Sequence, residues 1–199
     1  MRVVEVARDV TTSEDYEAVW RSLGQVAADG GAALASGVEL LGSPDPVARS
    51  VGCDLLGCAS DLHESVRAEA ASALLSLSQT EADVDVNWSV ACALGRTADA
   101  RAIPALLALT GHSDADVRCQ VAQALPTVAT GDFCGVEVGA LVRLTDDTDA
   151  DVREWATFGL GTLLGVDTPA VREALWARAH DDVGDVREEA VFGLARRGD

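Results

Sequence analysis

An all-α chain built from repeated helical hairpins is the fold class this sequence predicts, and three observations predict it. The frame Asp-Ala-Asp-Val-Arg occurs at 114–118 and again at 149–153. Small and apolar residues recur behind each frame at one set of offsets. The apolar content is aliphatic: 48% of residues are hydrophobic and only 4% aromatic, which suits helices in close contact.

The offsets define the first kind of helix. With Arg118 as position zero, Val117, Val121, Ala122, Ala124 and Leu125 stand at −1, +3, +4, +6 and +7. Arg153 gives Val152, Ala156, Thr157, Gly159 and Leu160, and Arg187 gives Val186, Ala190, Val191, Gly193 and Leu194. Arg67 and Arg49 open further copies, Asn87 replaces the arginine in another, and Tyr16 centres a degenerate first copy with Val19, Trp20 and Leu23. Such spacing places the apolar residues on one broad helical face, and the small ones let neighbouring helices approach.

A second kind of helix lies between these. Ile103–Thr110, Val136–Thr145 and Pro169–Ala179 match in register, with Leu106, Leu141 and Leu175 at spacings of 35 and 34 residues. The unit is therefore helix, short turn, helix, short acidic turn. Asp, Ser, Thr and Gly mark the turns and can cap the next helix. Pro169 falls near a helix start, where its missing N–H does no harm. Eleven helices are expected: 13–28, 31–42, 45–58, 63–78, 83–95, 101–110, 114–128, 135–145, 149–164, 168–180 and 183–196. They make five pairs and an unpaired last helix, about five and a half units. The expectation is one repeat domain over 1–199, with a degenerate unit at 1–44 and clear repeats at 45–196. Residues 2–7 are the only strand candidate.

The pattern D-x-D-V-R-x-x-[AV]-[AVT]-x-[AG]-L resembles HEAT repeats, of the short kind named after phycobilisome lyases. The resemblance implies a right-handed α-solenoid and is nearly silent on function. It also implies a ladder tying each unit to the next, onto which Asp116, Arg118, Asp151, Arg153, Asp185 and Arg187 map. Asn87 departs from that pattern, which would interrupt the ladder there.

Charge narrows the function. The formal net charge is −18, and all 15 basic residues are arginine. Such a surface repels phosphate and anionic lipid, so neither nucleic acid nor membrane is expected as a partner. No apolar run approaches the ~18 residues of a membrane helix. The opening MRVVEVARDV does not read as a signal peptide. Five cysteines, Cys53, Cys58, Cys92, Cys119 and Cys134, form no disulfide framework and point to free thiols in a cytoplasmic protein.

Catalysis or metal binding needs converging His, Cys, Asp or Glu side chains. His63, His112 and His180 are scattered. Deoxyhypusine hydroxylase resembles this architecture and holds its irons with several His-Glu pairs, whereas His63-Glu64 is a lone one. Asp147, Asp149 and Asp151 resemble the opening of a calcium loop, but Val152 and Phe158 occupy its glycine and glutamate positions. No cofactor or metal is expected, and the chain does not read as an enzyme.

Two surfaces are candidates for a protein partner. Positions +2, +5 and +9 point away from the packed arc and are mostly polar: Glu69, Ser72 and Ser76; Ser89, Cys92 and Arg96; Gln120, Gln123 and Thr127. In the last two copies that stripe carries Trp155 and Phe158, then Glu189 and Phe192. Exposed aromatics of this kind favour docking, and the alternative is that the rings pack on a neighbouring helix. Trp20 and Trp176 read instead as core residues, and Trp88 lies on a flank. The second surface is an inner, concave face carrying Glu137, Arg143, Arg172, Glu173 and Arg178. The expected function is a non-catalytic scaffold or adaptor for a protein partner, basic on grounds of charge. Alternatives are an inhibitor or immunity protein, a nucleic-acid mimic, and a lyase-like accessory enzyme. The free flank of the last helix could support a homodimer, or the closing ARRGD could equally serve as a solvated cap.

Overall fold

A computed structural model describes residues 4, 5, 7, 12–129 and 135–198, apart from the side chains of 13, 14 and 16. Cys134, residues 2, 3 and 6 of the strand candidate, and the Tyr16 side chain lie outside the described residues. Among the described residues, eleven helices of seven residues or more run in order: α1 (Ser13–Ala27), α2 (Gly30–Leu41), α3 (Pro46–Leu62), α4 (Arg67–Ser78), α5 (Val84–Thr97), α6 (Ile103–Leu109), α7 (Ala115–Val128), α8 (Val136–Leu144), α9 (Ala150–Phe158), α10 (Pro169–Arg178) and α11 (Gly184–Ala195). Val4, Glu5 and Ala7 are helical, not extended as the strand reading had them.

The turns start these helices in a uniform way. Asp29, Asp45, Asp83, Asp114 and Asp149 each precede a helix and accept backbone N–H groups of its first turn. That satisfies donors that have no partner within the helix. Thr12 and Asp15 form a reciprocal capping box on α1, and Thr168 caps α10 with Pro169 just inside.

The residues gather into two compact units, Met1–Ala105 and Leu106–Asp199. In the first, α3 lies between α1 and α5 and pairs with α2, while α4 packs on α2 and on α5. Gly37 and Gly52 let α2 and α3 cross closely; a Cβ on Gly52 would sit 3.0 Å from the Gly37 carbonyl. Val19, Leu23, Val51 and Leu55 form the centre of this unit. In the second unit α9 lies between α7 and α11, α8 packs on α7 and α9, and α10 packs on α11. Leu125, Leu141, Leu160 and Leu175 are fully buried there. Each such side chain stabilises the fold by roughly 1.5–3 kcal/mol.

Three readings need correction. Arg67 does not open a copy equivalent to Arg118: its helix α4 packs beside α2, while α3 and α5, which carry Arg49 and Asn87, lie together. The last helix is not unpaired, because α10 packs against it; α1 is the helix that precedes the five hairpins. The span 149–164 is not a single α-helix either. Gly159–Leu163 is a π-helical turn, closed by Leu164 N–H donating to the Gly159 carbonyl at 2.9 Å. Glycine at 159 leaves room for the ring of Pro126 from α7, which lies 2.9 Å from where a Cβ would stand.

Candidate functional site

The structural frame of any site here is an arginine–carboxylate ladder. Arg118 of α7 donates Nε and Nη2 to the two oxygens of Asp147, both at 2.8 Å. Arg153 does the same to Asp181, and Arg49 to Glu81. Each arginine also donates Nη1 to carbonyls of the turn before its own helix, as Arg118 does to His112 and Ser113. The carboxylates in turn accept backbone N–H groups of the next turn, Asp149 N–H on Asp147 and Val183 N–H on Asp181. Arg118 and Arg153 hold Asp147 and Asp181 well below the usual carboxylate range, and Arg49 holds Glu81 down likewise. The acids of the ladder are therefore not Asp116, Asp151 and Asp185. Those three sit in the first turns of α7, α9 and α11, where the helix dipole favours negative charge. Arg187 is exposed and donates to the Asp181 carbonyl.

The aromatic stripe lies on the second unit. Trp155 is 37% exposed and Phe192 53%, while Phe158 is half-buried. Trp155 and Phe158 meet edge to face with ring centres 5.7 Å apart. The Arg196 guanidinium lies 5.9 Å from the Phe192 ring centre, and Thr162 donates to Glu189 at 3.2 Å. On the first unit Glu69, Ser72 and Ser76 are exposed, whereas the stripe of the Asn87 copy is not outward: Ser89 is buried, and Cys92 and Arg96 are half-buried. Trp176, read as core, is 51% exposed. Trp20 is half-buried against the first unit's core, with the Arg96 guanidinium 5.0 Å from its ring centre.

The residues assigned to a concave face are mostly engaged within the chain. Glu137 is buried. Arg172 pairs with Asp167 and donates to the Arg197 carbonyl. Arg178 pairs with Asp146 and Asp181. Arg143 and Glu173 are exposed. Of the closing arginines, Arg196 is exposed, as a solvated cap would be, and Arg197 is not. Arg197 is largely buried and donates to the carbonyls of Leu160, Val166 and Gly193, tying down the segment that follows the π-turn.

Among the described residues no group of three or more His, Cys, Asp or Glu side chains is placed to hold a metal ion. His112 accepts from the Asp114 N–H and His180 contacts the Trp176 carbonyl, both local bonds, whereas His63 reaches across to the Ala27 carbonyl 36 residues away. The four described cysteines are free, and burial raises the thiol pKa of each. No helix of the described residues is long and apolar enough to cross a membrane.

A family profile described as HEAT repeats matches residues 33–126 and 71–161. The chain belongs to the HEAT-repeat family. Solved structures agree on the fold. The E. coli protein YibA superposes with a TM-score of 0.73 at 20% identity, over 97% of this chain and 70% of that one. An engineered protein matches with a TM-score of 0.65 at 22% identity, over 98% and 96% of the two chains. A designed armadillo repeat protein in complex with the peptide (KR)4 matches at 0.63 and 16% identity, over 98% and 97%. At these identities the likeness establishes an all-α repeat fold of HEAT and armadillo type. A search of curated proteins finds no matching relative.

Proposed function

We propose that this HEAT-repeat chain is a non-catalytic scaffold that binds a protein partner through the stripe of Trp155, Phe158 and Phe192, with Glu189 beside it. The observation that carries the reading is the exposure of Trp155 and Phe192, 37% and 53%, on a fold whose other large apolar side chains are mostly interior. Large aromatics left in water are the usual anchors of protein interfaces. The net charge of −18 favours a basic partner by steering its approach. Solution of the armadillo-type neighbour with a (KR)4 peptide is in keeping with a basic ligand on such a fold. The intramolecular engagement of Glu137, Arg172 and Arg178 leaves the alternative concave set with fewer free charges.

The test is affinity capture with the wild type beside a Trp155→Ala, Phe158→Ala, Phe192→Ala variant, both checked for folding by circular dichroism. A protein held by the wild type and lost by the folded variant supports the stripe. Equal capture by both overturns it and moves the site to the concave set or the acidic turns. A homodimer through α11 is a second reading, favoured by Val191 and Phe192, each more than half exposed on that helix. Sedimentation equilibrium decides it: a mass that does not change with concentration and equals the monomer removes the dimer.

A further inference from the structure

The first unit contains a cavity of about 500 Å³ between α1, the start of α3 and the start of α5. Val19 and Trp20 form its apolar wall, and Ser50, Asp54, Asp83 and Asp85 supply its polar groups. None of the surfaces discussed above includes it.

Two of those polar groups lack what buried polar groups normally have. Asp54 Oδ1 and Ser50 Oγ are both shut off from solvent without a hydrogen-bond partner. The contrast with the other helical serines is direct: Ser22, Ser60 and Ser72 each donate to the carbonyl four residues back at 2.8 Å. Ser50 could make the same bond and does not. A buried unpaired polar atom costs about 1–3 kcal/mol, and more for a charged one. Such atoms are rare enough that each calls for a ligand or a bound solvent molecule. Asp54 follows Ser50 by one helical turn, so the two project from one face of α3.

The chemistry that would complete the cavity is cationic, planar and rich in donors. Two carboxylates, Asp83 and Asp85, flank Asp54. Arg96, whose charge acts on Asp54, is already drawn to Asp61 at 3.5 Å and to Cys58, and Arg49, whose charge acts with Asp83, is already paired with Glu81 at 2.7 Å. Trp20 already accepts that guanidinium at 5.0 Å, so the indole is placed to favour positive charge. A guanidinium offers five donors in one plane and can serve a carboxylate and a hydroxyl together. The terminal torsion of an aspartate is soft, so Asp54 can turn its free oxygen toward the cavity.

We propose that this cavity receives the arginine side chain of a basic peptide, held by Asp54 and Ser50 at its base and by Asp83 and Asp85 at its rim. The carboxyl of Asp54 fits the part: burial, opposed by its bond to Ser89 and the charge of Arg96, lifts it to about 6, as for a carboxylate missing its counter-charge. The proposal shares with the scaffold reading only that the ligand is a basic polypeptide. It concerns the first unit, whereas the aromatic stripe is on the second.

The experiment titrates the full chain, labelled at its four indole nitrogens, with an acetylated, amidated octapeptide alternating glycine and arginine. The lysine counterpart is titrated in parallel. The arginine peptide should shift the Trp20 indole signal saturably. Asp54→Asn, which keeps the shape and removes the charge, should weaken binding at least tenfold, and Ser50→Ala and Asp85→Asn several-fold each. Glu188→Gln, an equal charge change on the second unit, should leave it unaltered. An unmoved Trp20 signal overturns the proposal. So does equal weakening by Asp54→Asn and Glu188→Gln, which would mean unspecific attraction to an acidic protein. Equal affinity for the lysine peptide overturns the guanidinium assignment. The variant lacking Trp155, Phe158 and Phe192 should bind the arginine peptide as the wild type does, so failure of the stripe and failure of the cavity are read separately.

Discussion

Arg153 and Asp181, 28 residues apart in the chain, clasp each other through two parallel hydrogen bonds of 2.9 Å. Only 11% and 3% of their side-chain surfaces remain exposed. Stranding one member of a buried pair costs about 3–5 kcal/mol, and because Arg178 remains 3.3 Å from Asp181, loss of Arg153 should fall at or below the lower end of that range. Arg153→Met should therefore lower the urea midpoint sharply, and Arg153→Met with Asp181→Leu should regain part of the loss. Arg187 occupies the same position in α11 but is exposed, so Arg187→Met should cost under about 1 kcal/mol. Equal losses for the two arginines would deny the ladder its role in stability.

Stability should respond to pH with two opposite signs. Asp147, Asp181 and Glu81 are held below their ordinary values, so the native state binds fewer protons than the unfolded chain. Their contribution is complete above about pH 4 and is lost as pH falls toward the depressed values. Asp54 is raised to about 6, so its contribution is complete below about pH 4 and is lost as pH rises through 6. Asp54→Asn should gain on the wild type by up to roughly 3 kcal/mol between pH 4 and 7. Denaturant titrations across that range check it; a difference independent of pH would mean that Asp54 titrates normally.

The helices were legible because most acidic turns carry their own cap, although the turn before α11 does not. Asp114 and Asp149 stand before apolar-periodic segments and accept the N–H groups the pattern says they should. The ladder was legible on its arginine side and misassigned on its acid side. The frame drew attention to Asp116 and Asp151, yet the partner acids stand six residues before the next copy's zero position, as Glu81, Asp147 and Asp181 do before Asn87, Arg153 and Arg187. That signal was present in the register. His112 fills the same place before Arg118, in the copy that follows Asn87, so the sequence departs from arginine and from acid in consecutive copies. The cavity at Asp54 left no periodic trace. It depends on how α1 meets α3 and α5, which offsets within one helix do not encode. Trp176 was misplaced for a related reason: register with Leu107 fixed its helical position but not the limits of the surface its neighbours cover.

Close approach of the π-helical turn Gly159–Leu163 and α11 depends on two glycines. A Cβ on Gly193 would lie 2.7 Å from the Gly161 Cα, and one on Gly161 would lie 3.1 Å from the Glu189 carbonyl oxygen. Both obstacles are backbone, which cannot swing aside, so Gly193→Ala should destabilise by about 1–3 kcal/mol despite alanine's better helix propensity. Gly111→Ala serves as the control, because nothing lies within 4 Å of its Cβ position. Thermal melts of the two variants should separate clearly; coincident melts would mean that the helices can part at no cost.

The aromatic stripe should matter little to stability if it is a docking surface. Phe192 keeps 53% of its surface in water, so Phe192→Ala surrenders little burial and should cost under about 1 kcal/mol. Leu175, fully buried beneath it in the same unit, should cost about 2–5 kcal/mol on the same change. Phe158 falls between, because it is half-buried and meets Trp155 edge to face at 5.7 Å. A double-mutant cycle on that pair should return a coupling of about 0.5–1.5 kcal/mol. Urea unfolding of the Phe192, Leu175, Phe158 and Trp155 single variants and of the Trp155–Phe158 double variant measures the whole series. A loss near that of Leu175→Ala for Phe192→Ala would mark the ring as part of the core, and the docking reading would lose its exposed anchor.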